Sequence, residues 1–301
     1  MSPTISAIIV NYNAGTLLRG CVDSLLACPL DIEIVVVDNA SSDGSLEGLQ
    51  DLPQVSVIRN SGNVGFAAAC NIGLQAAAAP FLLFLNPDCF FQPGAIATLL
   101  AELQSGDRVG MVGGLLLNED GSEQGGGRRA VPTPWRSFVR AFRLHRFAHR
   151  WPRLFYDFYL HKQPLPDGPV EVEAISGACM LVKREVVEDV GLWDESYFLH
   201  CEDLDWCMRF RQKGWKILFV PDARISHSLG ACGKSCRVFV EWHKHKGMIR
   251  FYHKFFKHQY PGVLMWLVSV GVLLRFSLMV VHHIAQCIMR KLKGAEGNSG
   301  G

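Results

Sequence analysis

The sequence predicts a doubly wound α/β domain, with a mostly parallel sheet, helices on both faces and a helical C-terminal tail. Three observations predict it. Short apolar runs recur without polar alternation, as strands covered on both faces require. Segments with helical spacing separate them, giving the βα alternation of such domains. Each early run ends on polar side chains, and open α/β sheets bind their ligands outside the carboxyl ends of the strands.

The elements follow in order. Ile5 to Val10 is a β-branched apolar run, and Leu17, Leu18, Cys21, Val22, Leu25 and Leu26 then recur at helical spacing. Ile32 to Val37 is a second strand, followed by a turn and a short helix near Ser45 to Leu52. Val55 to Ile58 is a third strand and Phe66 to Ala79 an Ala-rich helix. Phe81 to Leu85, a helix near Pro93 to Gln104 and a strand from Val109 to Gly113 complete the alternation. Right-handed crossovers put the carboxyl ends of these strands on one edge. Asn118 to Pro134 is Gly-rich and reads as a long mobile loop. Arg136 to Leu160 is aromatic and basic, and helical in part. Val170 to Val182 reads as strand, Val186 to Val190 and Asp203 to Lys213 as helix, and Ile217 to Val220 as strand.

The net charge of +2 does not suggest a nucleic-acid binder. Basic residues concentrate between Arg237 and His258, where Glu241 is the single acid. Such asymmetry marks an anionic surface, and a membrane is the usual one. Val263 to Val281 is apolar apart from Ser269, Arg275 and Ser277, and is long enough to span a bilayer. A central Arg costs about 2.5–3.5 kcal/mol on insertion scales, so an interfacial helix or shallow hairpin is as good a reading as a full span. The ten cysteines include no CxxC pair. Cys232 and Cys236 come closest to metal spacing but lack a second pair, which argues against zinc. Cys70, Cys89 and Cys179 lie in apolar runs and read as small core residues, so a reducing cytosol fits. The N-terminus lacks a basic leader, and no signal peptide is expected.

The strand ends carry the chemistry. They are Asn11-Tyr12-Asn13, Asp38-Asn39-Ala40-Ser41, Arg59-Asn60 with Gly62-Asn63-Val64-Gly65, and Asn86-Pro87-Asp88. Any one of them is an ordinary polar turn or helix cap; four on one ligand-binding edge make a site. Neither G-x-G-x-x-G nor a Walker Gly-Lys-Ser/Thr follows the first strand, which disfavours dehydrogenase-type dinucleotides and P-loop chemistry. Asp38 can accept from a base N–H, and Asn63 and Asn86 suit a ribose. Gly62 and Gly65 let backbone approach a flat ring. Asp88 is a hard oxygen ligand on a turn; one carboxylate, phosphate oxygens and waters are the normal shell of Mg²⁺ or Mn²⁺.

Ser6-Ala7-Ile8-Ile9-Val10-Asn11-Tyr12-Asn13, Val36-Val37-Asp38-Asn39-Ala40-Ser41-Ser42-Asp43-Gly44, Asn60-x-Gly-Asn63-x-Gly65-Phe66-Ala67 and Asn86-Pro87-Asp88 together resemble the family 2 inverting glycosyltransferases of the GT-A fold. The rhamnosyltransferase-like branch of bacterial cell-envelope polysaccharide synthesis is the most similar. The resemblance covers roughly residues 5 to 230, and it is specific to the family rather than to the sugar.

It implies a Rossmann-like, mostly parallel sheet and a role for each matching residue. Asp38 would contact the base, and Asn11, Tyr12, Asn13, Asn63, Gly65 and Asn86 would line the nucleotide pocket. Asn86-Pro87-Asp88 stands where the family carries Asp-x-Asp, so Asp88 alone would reach the metal from this turn. His227, in Ile225-Ser226-His227-Ser228, matches a metal-ligating histidine of related enzymes. Spacing alone leaves His227 equally readable as a hydrogen-bonded structural residue. Such a mixed site suits Mn²⁺ as well as Mg²⁺. Trp193-Asp194-Glu195 leads into Glu202-Asp203-Leu204-Asp205. Three acids in four residues are costly to crowd unless exposed or used. The resemblance makes Asp203 the base that deprotonates the acceptor, with Glu202 and Trp193 on the acceptor side. Asp205 pairs more naturally with Arg209, four residues on. Ser176 to Leu181 matches a segment beside the donor sugar, and reads nearly as well as a tight core strand. Arg128 and Arg129 read either as ligands of an acceptor phosphate or as solvated loop charges.

The expected organisation is a nucleotide-sugar half (1–115), an acceptor and catalytic half (116–232) and a membrane-associating tail (233–301). The expected activity is metal-dependent, inverting transfer of a sugar, with L-rhamnose from dTDP-rhamnose the first choice over a UDP sugar. The acceptor would be a lipid-linked saccharide at the cytoplasmic face of the plasma membrane. The tail would make the protein peripheral or C-terminally anchored, and self-association is left open. A catalytically silent nucleotide-sugar-binding scaffold is the alternative from another class. A nucleotidyltransferase would need a Gly-rich basic loop after the first strand, which Asn11-Tyr12-Asn13 does not provide.

Overall fold

The computed structural model describes residues 3–228 and 237–296. They fall into two compact units that divide between Ser235 and Cys236. The first unit is built on a nine-stranded sheet. Its strands are β1 (Ile5–Asn11), β2 (Ile32–Asp38), β3 (Val55–Arg59), β4 (Phe81–Leu85), β5 (Cys89–Phe91), β6 (Val109–Leu117), β8 (Val170–Glu171), β10 (Cys179–Lys183) and β11 (Lys216–His227). The short β7 (Arg128–Arg129) and β9 (Ala174–Ile175) pair separately.

The order is β3-β2-β1-β4-β10-β6-β11-β5, with β8 also on β11. β1 to β4 run parallel, as their largely apolar runs predict, and so do β6 and β11. β10 runs antiparallel between β4 and β6, and β5 antiparallel on β11. The helices are α1 (Thr16–Leu26), α2 (Phe66–Ala76), α3 (Ala95–Gln104), α4 (Pro134–Ala141), α5 (Arg184–Val190) and α6 (Glu202–Gln212). α1 buries Leu18, Cys21, Val22 and Leu25, the side chains whose spacing marked it as a helix. Gly73 on α2 has no room for a Cβ, which would meet Ile8 Cγ2 at 2.4 Å, so this helix lies directly on β1.

Four expectations need correction. The helix expected near Ser45 to Leu52 is a chain of turns, interrupted at Gly44 and Gly48, whose φ values of 76° and 73° no α-helix accepts. The run from Val170 to Val182 breaks into β8, β9 and β10. The Gly-rich stretch from Asn118 to Pro134 is tied down rather than mobile: Gln124 N–H donates to Leu116 O, and β7 pairs with β9. The run at Ile217 to Val220 continues to His227.

The second unit holds α7 (Arg237–Phe256) and α8 (Gly262–Glu296). Within α8, Gly262–Gln286 has a mean hydropathy of 2.2 and the length to cross a membrane. At about 1.5 Å per residue it exceeds a hydrocarbon core of about 30 Å. It is one continuous helix, not a hairpin. Cys232 and Cys236 lie outside the described residues.

Candidate active site

β1 and β2 deliver Asn11 and Asp38 side by side, since the two residues are in register. Asn11 is buried, and its amide NH₂ shares two hydrogens among Asp38 Oδ1 (2.8 Å), Ser41 Oγ (3.0 Å) and Ser45 Oγ (2.8 Å). It therefore organises the edge from beneath. Asp38 Oδ2 accepts the Ser41 N–H, giving the strand end an Asx-type turn. Asn13 and Ala40 follow with φ of 52° and 61°, a conformation uncommon outside glycine. Asn13 Oδ1 accepts from Ser42 N–H, and the Asn13 N–H donates to Ser41 Oγ, so the turns after β1 and β2 are stitched together. Tyr12 is exposed beside them.

Outside β2 lies a cavity of about 350 Å³ lined by Asp38, Ala40, Ser41, Gly44, Ser45, Leu46, Glu47, Gln50, Arg59 and Asn60. Asp38 thus reaches it from the end of β2. Arg59 and Asn60 join it from the end of β3. Asn63 and Gly65 do not line it. Asn63 Oδ1 accepts the Gly65 N–H, and a Cβ on Gly65 would meet Phe198 O at 2.6 Å. Gly65 therefore makes room for the segment that leads to Glu202, whereas Gly62 faces open space.

The Asn86-Pro87-Asp88 turn sits between β4 and β5. Pairing of β11 with β5 places His227 opposite Cys89. This brings His227 Nε2 to 3.2 Å from Asp88 Oδ1 and 3.4 Å from Asn86 Nδ2. Asp88 and His227 are both buried. Gln124, 3 % exposed, holds the other side of the ring: its Oε1 lies 2.6 Å from His227 Nδ1, and its Nε2 donates to His227 O at 3.2 Å. A carbonyl can only accept, so the NH₂ end of Gln124 faces it and the oxygen end faces the ring. Nδ1 therefore carries a hydrogen, and Nε2 is the ring nitrogen that faces Asp88 and the Asn86 amide.

Asp88, Cys89 and His227 form the one cluster of possible metal ligands found among the described residues. The Cys89 thiol is pushed well above its ordinary pKa by burial and by Cys179, Asp88 and Cys21, and it lies against Ala178 O. Its Sγ faces that carbonyl, and a hard divalent ion takes oxygen and imidazole nitrogen in preference to sulfur. The two remaining ligands fit a hard divalent ion. An octahedron with bonds of about 2.1 Å has edges of about 3.0 Å, close to the 3.2 Å between Asp88 Oδ1 and His227 Nε2.

Glu202 and Asp203 open α6, preceded by His200 and Cys201 at φ of 68° and 72°. Two successive non-glycine residues in that region are costly, and such strain collects at functional sites. Asp203 Oδ2 accepts from Arg129 Nη2 and from the Gly177 N–H, and Oδ1 from the Leu204 N–H. Burial alone would lower the Arg129 pKa, but Asp203, followed by Tyr159, Cys207 and Cys201, leaves it raised. Glu202 is 6 % exposed with Oε2 unpartnered, and burial first, then the charge of Asp203, pushes its pKa up to about 8. Both causes favour its neutral form, beside an ion-paired neighbour.

The Ser176–Ala178 segment joins the two halves of the site. Gly177 N–H holds Asp203, while Ala178 O accepts the Asn86 N–H at 3.0 Å. Asp205 pairs with Arg209 at 2.7 Å, as its spacing predicts. Two expectations fail. Arg128 is neither a solvated charge nor a free phosphate ligand, since it pairs with Glu123 and caps the carbonyls of Gln163 and Pro164. Trp193, 2 % exposed, packs edge-on to Phe66 and Phe84 with its ring 4.2 Å from that of Trp206. An indole so enclosed does not touch an acceptor; it supports the loop before Glu202. The roles of Gln124 and Arg129 escaped the sequence reading, because each is set by a partner far along the chain.

Fold and site set a carboxylate and an imidazole at one turn and an acidic pair at another, joined through one backbone segment. The chain belongs to glycosyl transferase family 2, whose profile matches residues 6–191; that of glycosyl transferase family group 2 matches residues 130–288. It is 29% identical, over 99% of both chains, to N-acetylglucosaminyl-diphospho-decaprenol L-rhamnosyltransferase of Mycobacterium tuberculosis. It is 23% identical, over 100% of this chain and 98% of the other, to a dTDP-rhamnosyl transferase of Shigella flexneri. Among solved structures it resembles GalNAc-T7 with UDP, GalNAc and Mn²⁺, with a TM-score of 0.62 and 23% identity over 85% of this chain and 48% of that one. It also resembles a Pyrobaculum calidifontis mannosyltransferase in complex with GDP-Man and Mn²⁺, with a TM-score of 0.58 and 15% identity over 96% and 81%. These two likenesses support the GT-A fold.

Proposed function

We propose that this glycosyltransferase moves L-rhamnose, with inversion, from dTDP-rhamnose to a lipid-linked saccharide at the cytoplasmic face of the plasma membrane. The observation that carries the reading is the Ser176–Ala178 segment, which ties the Asn86–Asp88 turn to the Asp203 carboxylate. An in-line displacement needs those two groups in fixed relation. The choice of sugar rests on two relatives matched over nearly their whole length, and the place at the membrane on Gly262–Gln286.

The roles follow from the chain's own groups. Asp38, Arg59 and Asn60 receive the nucleoside in the cavity outside β2 and β3. Asp88 and His227 would hold a divalent cation, Mn²⁺ or Mg²⁺, which supplies charge neutralisation at the leaving diphosphate. A carboxylate offers about four lone-pair positions. Three of those on Asp203 are occupied, and the fourth, on Oδ1, accepts the acceptor hydroxyl and takes its proton as that oxygen attacks. The neutral Glu202 offers its O–H to the acceptor. A silent scaffold would bind donor without turnover.

A thermal-shift screen of dTDP, UDP and GDP sugars with Mn²⁺ or Mg²⁺ tests the reading. A specific donor at a hundred times its Kd stabilises by about 2.7 kcal/mol. dTDP-rhamnose with metal should give the largest rise. No rise with any sugar nucleotide would overturn the reading, and a rise without rhamnosyl transfer would favour the scaffold.

A further inference from the structure

The stretch from Pro134 to Phe158 takes no part in the site described above, yet its surface is unusual. Trp135 and Phe138 on α4 and Phe142 at its C-cap recur at intervals of three and four and so share one face. The first two rings stack at 5.6 Å, and Phe142 is tilted against Phe138 at 4.6 Å. All three rings are exposed, Phe142 by 64%, although Val139, one turn beyond Trp135, is fully buried. A surface helix normally turns its apolar stripe inward. Phe147, Trp151 and Leu154 extend the exposed apolar surface beyond the helix.

The charges are equally one-sided. The stretch holds six arginines and one acid, Asp157. Arg136 and Arg140 are neutralised by Glu173 and Asp157. Arg143, Arg146, Arg150 and Arg153 are exposed, and none makes an ion pair among the described residues. Arg146 and Arg150 lie over the rings of Phe147 and Trp151, so cation and aromatic surface are interleaved.

We propose that residues 134–155 are a bilayer-contact surface of the catalytic unit, distinct from α8, and that their partner is an anionic phospholipid headgroup layer. Exposed aromatic rings among cations are the composition of an interfacial element, and anionic lipids attract such arginines at about 1 kcal/mol each. A second copy of the chain is a poor occupant, because four unneutralised arginines would face four more. A bilayer is within reach, since the same chain carries a helix of membrane-spanning length. The surface is also anchored to the site. Ala130 N–H bonds Phe158 O, and Arg129 bridges to Tyr159, closing the stretch at the strand whose Arg129 holds Asp203. The inference does not depend on which sugar is moved.

Hydrogen-exchange mass spectrometry on the full chain tests it, without lipid, with phosphatidylcholine vesicles, and with vesicles containing phosphatidylglycerol. Amides of 134–155 should exchange roughly tenfold more slowly on the anionic vesicles only, and raised salt should reverse this. The variant R143S/R146S/R150S/R153S should lose the slowing at 134–155 while keeping the protection of α8 and of β1, which reports the fold. Unchanged exchange at 134–155 on anionic vesicles overturns the proposal, as does equal slowing on both lipids. Protection that rises with protein concentration without lipid would assign the face to self-association and overturn it too.

Discussion

Glu202→Gln removes an ionisable group while keeping its shape, so it isolates the effect of that buried carboxyl. Burial and the neighbouring Asp203 raise the Glu202 pKa from 4.5 to about 8 in the folded chain. Between those two pH values the folded state holds a proton that the unfolded state has released. Stability therefore falls as pH rises through this window, by up to about 1.4 kcal/mol per pH unit. It levels off above about 8, where both states are ionised, and below 4.5, where both are protonated. The variant lacks this slope. Urea unfolding at pH 5, 6, 7, 8 and 9 should show the variant gaining on the wild type steadily up to pH 8 and no further. Parallel stability curves for the two proteins would refute the reasoning, since they would mean that Glu202 is ionised and accommodated at neutral pH.

Three other substitutions probe the rest of the site. Asp203→Asn should lower the turnover number by about 10²–10⁴ while the donor-induced thermal shift persists; retained turnover would remove Asp203 from the role of base. Gln124→Leu deletes the hydrogen bond that fixes the His227 tautomer, and should weaken Mn²⁺ binding about 10–100-fold in a titration followed by the rise in melting temperature, with nucleotide binding in the absence of metal unchanged. Gly65→Ala forces a side chain into a backbone at φ 89° and against Phe198 O; chemical denaturation should show a loss of about 3 kcal/mol, and a loss below about 0.5 kcal/mol would mean that the contact is relieved elsewhere.

The parts of this fold that are local in sequence were legible. β1, β2 and β4 read directly as strands because both their faces are buried, so apart from Ser6 and Glu33, which bond each other, every position is apolar until the strand ends. The polar residues at those ends could be placed on one edge because parallel topology leaves no other arrangement. Asp205 and Arg209 were paired correctly because four residues make one helical turn. What escaped has long-range partners. Gln124 sits in a Gly-rich stretch that looks solvated, and only its neighbour 103 residues away makes it part of the site. Arg129 is read correctly only once Asp203, 74 residues on, lies beside it. Trp193 was placed on the acceptor side by the resemblance alone; its burial by Phe66, Phe84 and Trp206 depends on three separate elements. The turns from Ser45 to Leu52 were missed although Gly44 and Gly48 sit in plain view there.

The pairing of His227 with the Asn86–Asp88 turn has a consequence for how the protein matures. Asp88 emerges from the ribosome early, with the first strands of the sheet, but its partner arrives only when the last strand has been made and zipped onto β5. A chain halted before residue 227 carries Asp88 without the imidazole that packs against it, so the paired geometry marks the closed sheet rather than the turn alone.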